Sequence, residues 1–573
     1  MNPLIKKIAP HLGALLIFLA LCVLYFLPQL EGKVVQQGDI VQYRGMTQEI
    51  LEFQEKSGRK PLWTNSMFGG MPSYQINAPS QGNYLKFIDG WMRLGIEHPA
   101  GRFLAAMIGF YILGIVLGLN RWLCILGAIG FGFTTNNFIL YEAGHVTKLR
   151  AISFFPLVAA GMILTYRKHY LWGSLLFAIG LGLNIMSNHV QMTYYFFLTL
   201  PFFAIARFVY DRKEGQLTHF LKASLLLVGG GILAVGTSMA NLWVTYEYSR
   251  ETMRGEPILE VEAQAADETS SSETEGLAWN YAMQWSNGTL DLFASLIPGV
   301  VGGSSQEEVG RNSAVVEDLR RKGYQAPPGF AAPLYWGKLP FTSGPAYFGA
   351  TLLFLFLVGL LLVHGPLKWW LGLGTLFVFL LSLGQHFELL NRAMFDYFPL
   401  YNKFRTPNSV LSIASFLVPF LGVLGLQRAM NLKNTDKSWK ALKIAGGISA
   451  ATCLFFVLIG PSLFDFSAPG DARYAQAGLD TQALIADRQD MMRSDATRSL
   501  VLIALTFILI RAYMTNRIKK LYALLGIGLI VTLDMWTVGM RYLDHGDFVE
   551  KANYEANFRP RPVDEQIMQD TDP

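Results

Sequence analysis

The chain has 573 residues, of which 52% are hydrophobic and only 16% charged, and its mean hydropathy is +0.31. Soluble globular domains carry about 25% charged residues, so this composition excludes one and calls for a membrane. A net charge of +5 is too small at this length to suit a nucleic-acid binder, so nucleic acid is not an expected partner.

In chain order, Lys6 and Lys7 precede an apolar run from about Leu12 to Leu30. The run is long enough to span a bilayer, and Leu27-Pro28-Gln29-Leu30-Glu31 offers no small-residue cleavage site, so it reads as a retained first helix. Further stretches of spanning length cover residues 101–119, 121–140, 149–166, 170–187, 190–209, 220–243, 345–364, 367–384, 408–427, 441–461, 498–515 and 519–540. These thirteen stretches predict an all-α polytopic membrane protein. Cys22, Cys124 and Cys453 all lie inside apolar runs without Cys-x-x-Cys or nearby His spacing. They read as small buried hydrophobes.

Lys and Arg collect at every second connection: Lys6/Lys7, Arg121, Arg167/Lys168, Arg207/Arg212/Lys213, Lys368, the Arg428 to Lys443 cluster, and Arg511/Arg517/Lys519/Lys520. By the positive-inside rule these mark the cytoplasmic side, with the N-terminus inside and the tail from Asp544 to Pro573 outside. The long connections 31–100, 244–344, 385–407 and 462–497 then all face outward. The chain has no internal repeat, no Walker motif and no Gly-x-Gly-x-x-Gly opening a helix after a strand, which argues against a nucleotide-driven pump. Glu256 to Glu275, acidic and Ser/Thr-rich, reads as a mobile linker.

The outer connections hold the candidate chemistry. Gln36-Gln37-Gly38-Asp39-Ile40-Val41-Gln42-Tyr43 sets Asp39 at the membrane surface directly after the first helix, either as an ordinary polar loop residue or as a functional acid. Met46, Ile50 and Phe53 recur at helical spacing and predict an interfacial helix over Met46 to Lys56. Trp63, Phe68 and Gly69-Gly70 predict a sharp turn anchored in the headgroup layer. The turn Tyr141 to Arg150 gathers Glu142, His145, Lys148 and Arg150 against the positive-inside pattern. Such cations suit a phosphate, and lipid headgroup binding uses the same physics.

His189, in Ser187-Asn188-His189, would with Asp39, Glu142 and His145 complete a divalent-metal site, although three separate loops lack diagnostic ligand spacing. Glu247, Arg250 and Glu251 have the spacing of local ion pairs. Lys403 and Arg405 stand just before the tenth helix, whose entry Pro407 fixes, as an anion site or as interfacial anchors. Asp534 lies inside the thirteenth run on the same helical face as Arg541. A carboxylate at that depth is normally paired or faces a polar cavity.

Asp39 with Gln42-Tyr43, then Trp63 and Phe68-Gly69-Gly70, then Phe404-Arg405-Thr406-Pro407 before a late helix, resemble the YfhO family of bacterial membrane proteins over most of the chain. That family is similar in layout to the GT-C glycosyltransferases, which take a sugar from a polyprenyl-phosphate carrier on the outer face of the membrane. The resemblance implies a GT-C-like bundle over residues 1–543 and an outer tail over 544–573, in the inner membrane of a bacterium. Relatives of this kind continue past the thirteenth helix, so truncation after Pro573 is expected. It also implies Asp39 as the catalytic carboxylate. Gln42, Tyr43, Glu142, His145, Lys148, Arg150, His189, Lys403 and Arg405 become candidate substrate-binding residues, the donor a polyprenyl-phosphate-linked sugar, and the acceptor a cell-envelope polymer, a lipid or a protein.

The chemistry fits: a carboxylate takes the acceptor proton, cations stabilise the leaving phosphate, and attack opposite the leaving group inverts the anomeric carbon. Two other classes stay open. A transporter or flippase of lipid-linked saccharides would bring inverted repeats and broken helices, neither clear in this sequence, and a membrane scaffold would leave the outer Asp, His and Arg residues replaceable.

Overall fold

A computed structural model describes residues 3–77, 82–255 and 276–570. The expected linker Glu256 to Glu275 lies outside the described residues. Ten described helices are long and apolar enough to cross a membrane: Lys6–Tyr25, Ala100–Leu117, Arg121–Glu142, Val146–Tyr166, Val190–Lys213, Leu217–Gly236, Pro407–Leu432, Asp436–Leu458, Thr481–Met514 and Lys520–Gly539. Pro366–Ser382 and Gly384–Tyr397 make a further candidate, bent by 115° at its break, and Tyr170–Met186 and Ala350–Leu362 are shorter apolar helices. The chain is therefore a polytopic helical membrane protein. Each apolar stretch read from the sequence falls on one of these segments.

Ala100–Leu117, Arg121–Glu142, Val146–Tyr166 and Pro407–Leu432 form the enclosed centre, while Lys6–Tyr25 and Leu217–Gly236 turn most of their apolar surface outward. Without a hydrophobic drive between helices in lipid, close backbone approach has to hold them together. Phe155–Tyr166 and Tyr170–Met186 achieve it through Gly161, where an added Cβ would meet the Phe177 backbone nitrogen at 2.2 Å. At one end of the bundle Tyr25 stacks on Phe138 with ring centroids 4.6 Å apart and donates its hydroxyl to the Leu543 carbonyl at 3.0 Å. This fixes where the first helix ends and the first connection begins.

Contacts sort the connections into two sets. In one, Arg167 donates to the carbonyls of Val116 and Leu117, Lys437 Nζ meets His364 Nε2 at 2.8 Å, and Arg511 donates to Asn434 at 2.7 Å. In the other, Gln191 donates to the Arg405 carbonyl at 2.6 Å, the Asn287 N–H to the Ser382 carbonyl at 2.9 Å, and Val34–Val35 pair antiparallel with Phe548–Val549. The last ladder ties the approach to Asp39 to the C-terminal segment.

The second set is more ordered than its polarity suggests. Asp39 belongs to the helix Gly38–Ser57, so the interfacial helix expected from Met46 begins two turns earlier; Ile50 of the expected stripe is buried and Phe53 exposed. The expected turn is a hairpin of two short strands, Trp63–Thr64 with Met71–Pro72, that leaves Trp63 and Phe68 exposed. Residues 462–497, expected as a loop, contain the helix Asp471–Gln476 and the first half of Thr481–Met514. That helix has 34 residues, about 51 Å of length at 1.5 Å per residue, and so projects well beyond a bilayer core.

Its charges read as loop because they serve a second, smaller core of Val315, Ala332, Leu334, Ala483 and Leu484. Asp487 accepts from the N–H groups of Ala314 and Val315, capping Ala314–Arg321. Arg488, fully buried, donates both terminal nitrogens to Asp471 at 2.7 and 2.8 Å and also reaches the carbonyls of Leu334, Phe466 and Pro333.

Candidate functional site

The first turn of Gly38–Ser57 is held against the turn between Arg121–Glu142 and Val146–Tyr166 by three contacts. Gln37 donates its side-chain amide to the Tyr141 carbonyl. Gly144, at φ +88°, lies so close that a Cβ there would meet Asp39 Cβ at 2.8 Å. His145 Nε2 stands 3.1 Å from Asp39 Oδ2. The left-handed backbone and the missing side chain both favour glycine at position 144.

Asp39, His145, Lys148 and Arg405 line one cavity of about 510 Å³. The sequence separates them across three connections; the fold brings them to one surface. Lys148 is buried and donates from Nζ to Ser409 Oγ at 2.7 Å. Arg405 donates to the Tyr281 hydroxyl, and its guanidinium lies 5.3 Å from the Tyr281 ring centroid. Among the described residues neither cation is paired with a carboxylate. His145 is half open to the cavity but otherwise ringed by protein, so burial, then the Lys148 charge, push its imidazole below the ordinary value against the pull of Asp39. His145 meets only Asp39 Oδ2, and among the described residues no hydrogen bond reaches Asp39 Oδ1.

The other candidates lie around this cavity without lining it. Gln42 and Tyr43 follow Asp39 on its helix and are exposed. Glu142 is half-buried. His189 has a buried Nδ1 without a hydrogen bond among the described residues, and burial, then Lys148, push its imidazole down to about 3. Lys403 donates to the Arg254 carbonyl at 2.8 Å while Arg254 donates back to the Lys403 carbonyl at 3.0 Å, which braces the turn before Arg405. Arg150 points away and donates to Asp89 at 3.1 Å.

Among the described residues no group of three or more His, Cys, Asp and Glu side chains is arranged to hold a metal ion, so Asp39, Glu142, His145 and His189 do not assemble as a donor set. Asp534 is buried and does not line this cavity: Tyr347 and Arg498 bind its carboxylate, and Arg541 pairs instead with Asp495 at 2.7 Å.

Sequence reasoning missed a whole wall of the cavity. Trp285, Asn287, Asp291, Tyr335 and Phe341 all come from the long connection before Ala350–Leu362. Asp291 is buried and accepts from the Tyr335 hydroxyl at 2.6 Å and from the N–H groups of Gly288 and Lys338. Burial, larger than these bonds, raises its carboxyl above the usual range. Nothing in the spacing of these residues sets them apart from loop. The one available signal was aromatic residues in an otherwise polar connection. Compared with known proteins, the chain matches no family model, no curated protein and no solved structure.

Proposed function

We propose that this protein is a glycosyltransferase that moves a sugar from a polyprenyl-phosphate carrier to an acceptor at the cavity face of the membrane. The observation that carries the reading is the cavity's charge arrangement: among the described residues, a carboxylate with one oxygen unbonded, and two cations, Lys148 and Arg405, with no carboxylate partner. Cations held without counter-charge suit an anionic ligand, and a leaving phosphate is one. The sequence resemblance to the YfhO family points to the same chemistry and to Asp39.

In this reading an acceptor hydroxyl attacks the anomeric carbon while Asp39 takes its proton. The carbon–oxygen bond to the carrier breaks, the electron pair leaves with the phosphate, and Lys148 and Arg405 stabilise the released charge. Attack opposite the leaving group inverts the anomeric centre. His145 orients Asp39, and Asp291 and Asn287 are placed to meet the transferred group or its acceptor.

The two contact sets support thirteen crossings. His145 and Gln191 lie on the same face, so Tyr170–Met186 has to return the chain across the membrane. Ala350–Leu362 and Pro366–Ser382 likewise join two connections of the cavity set. The 115° break falls at the cavity-side end of its span, which supports reading Gly384–Tyr397 as a surface helix and not as a half-helix at the midplane as in many transporters. Arg167, Arg207, Lys437 and Arg511 belong to the opposite face, which favours a cytoplasmic N-terminus and an outward cavity in a bacterial inner membrane.

The test is purified protein in liposomes supplied with a polyprenyl-phosphate-linked sugar and envelope acceptor fractions. Transfer that requires Asp39 supports the reading. Sugar crossing the bilayer without transfer supports a flippase instead.

A further inference from the structure

Arg150, drawn into the sequence reading as a phosphate ligand, lies in a second cationic cluster that no part of the proposed transfer uses. Asp89 is its centre. Arg102 binds that carboxylate with both terminal nitrogens at 2.8 and 3.2 Å, Arg150 donates to Asp89 Oδ2 at 3.1 Å, and Arg93 Nε lies 3.4 Å from the same oxygen. Arg102 is almost wholly buried, whereas the side chains of Arg93 and Arg150 keep 21% and 26% of their surface open. Among the described residues Arg93 Nε, Arg102 Nε and Arg150 Nε make no hydrogen bond.

Arginine does not shed its proton in a protein, so three guanidiniums around one carboxylate leave two positive charges without compensation. Among the described residues every ion pair of these three arginines goes to Asp89. His98, beside them, adds no negative charge. Uncompensated buried charge is costly, and a counter-anion relieves it.

The surroundings say which anion. Asp89 sits on the inner face of the short helix Leu85–Met92, whose outer face, with the preceding Tyr84, exposes Tyr84, Phe87 and Trp91 at 81%, 55% and 75%. Aromatic rings on one face of a surface helix mark the headgroup level of a bilayer. Arg93 and Arg150 therefore open at the depth of lipid phosphates, and a planar guanidinium fork fits a phosphate better than a lysine does.

We propose that Arg93, Arg102 and Arg150 form a phosphate site, separate from the cavity, that holds the headgroup of an anionic phospholipid.

Native mass spectrometry of the full chain, released from nanodiscs containing equal phosphatidylglycerol and phosphatidylcholine, tests this. The wild type is expected to retain phosphatidylglycerol about tenfold over phosphatidylcholine. Arg93→Gln with Arg150→Gln leaves the Arg102–Asp89 pair intact and is expected to abolish that preference. Arg93→Gln alone is expected to reduce it, and serves if the double variant does not fold. Arg321→Gln, at an exposed arginine outside both sites, is expected to leave it unchanged. Equal retention of the two lipids by the wild type overturns the proposal, as does an unchanged preference in either arginine variant. Displacement of the lipid by millimolar inorganic phosphate also overturns it, in favour of a site for free phosphate.

Discussion

Asp534 and Asp39 are both carboxylates beside apolar helices, and their surroundings differ. Asp534 accepts from the Tyr347 hydroxyl at 2.7 Å and the Ala350 N–H at 3.2 Å, and pairs with Arg498 at 2.8 Å, with no exposed surface on its side chain. Asp39 has one imidazole at 3.1 Å and keeps 54% of its side chain open to the cavity. The first is enclosed and has three donors from its own fold; the second has capacity left for something else. Depth in the membrane, which makes Asp534 the more conspicuous residue in the sequence, is thus a measure of structural cost. Spare bonding capacity next to unpaired cations is the better mark of a working group.

Exchanging these residues breaks the comparison if it is wrong. Asp39→Asn is expected to lower transfer by about 10²- to 10⁴-fold, the usual worth of a general base, while stability moves by under about 0.5 kcal/mol. Asp534→Ala is expected to destabilise by about 2–4 kcal/mol, because it removes the buried partner of the part-buried Arg498 charge, with transfer falling only as folded protein is lost. Initial transfer rates alongside thermal melts in detergent separate the two. A stable but inactive Asp534→Ala, or an active Asp39→Asn, would reverse the roles assigned to them.

Arg405 sharpens the cation half of the contrast. Truncating Arg405 to Ala is expected to cost about 10²- to 10³-fold in transfer, comparable to losing one oxyanion donor, with Arg405→Lys restoring part of it. Arg541→Ala, which breaks a pair with Asp495, is expected to act on stability instead. A smaller effect belongs to Gly144. Gly144→Ala is expected to cost about 1–3 kcal/mol of backbone strain and to reduce transfer by shifting Asp39, seen as a fall in kcat with little change in KM. Normal kcat in a folded Gly144→Ala protein would remove the docking of Asp39 on this turn from the mechanism.

Hydrophobic length and basic-residue placement made the helices readable, since each is a continuous local property of the chain. The cavity was half readable. Asp39, His145, Lys148 and Arg405 each stand out against a local expectation, as a charge beside lipid or a cation on the outer side. Trp285, Asn287 and Asp291 do not, because their role comes from a connection folding back over the bundle, which no local pattern encodes. Arg150 misled for the same reason. It is two residues from Lys148, but a helix turns by about 100° per residue, so the two side chains point to different faces, one to the cavity and one to Asp89.

The histidines give the smallest and most graded test. His189 and His98, both without a hydrogen bond at Nδ1, are pushed down to about 3, first by burial and then by Lys148 for His189 and by Arg102 for His98. An unfolded chain takes up a proton on each near the ordinary value of about 6.5, so the native state binds fewer protons below that pH. Their contribution to stability is complete above pH 6.5. It is lost as pH falls toward 3, at up to about 1.4 kcal/mol per unit for each. Asp89, whose carboxyl is held below its ordinary value by Arg102, Arg150 and Arg93 despite its burial, loses its own contribution only at lower pH. Glu307, raised to about 7 by burial, and Asp291, also raised by burial, titrate in the window from 6.5 to about 4.5 with the opposite sign, so the histidine contribution is read as the difference in slope between wild type and variant. In melts across that window His189→Asn is expected to flatten the slope. His145→Asn is expected to change it less, because that ring is half open to the cavity and Asp39 partly offsets the burial and Lys148 that push it down. Equal slopes for wild type and His189→Asn would mean that His189 is not held neutral by the fold. A steeper loss from His145 than from His189 would place the more enclosed ring at the cavity, contrary to the open site that the Asp39 reading requires.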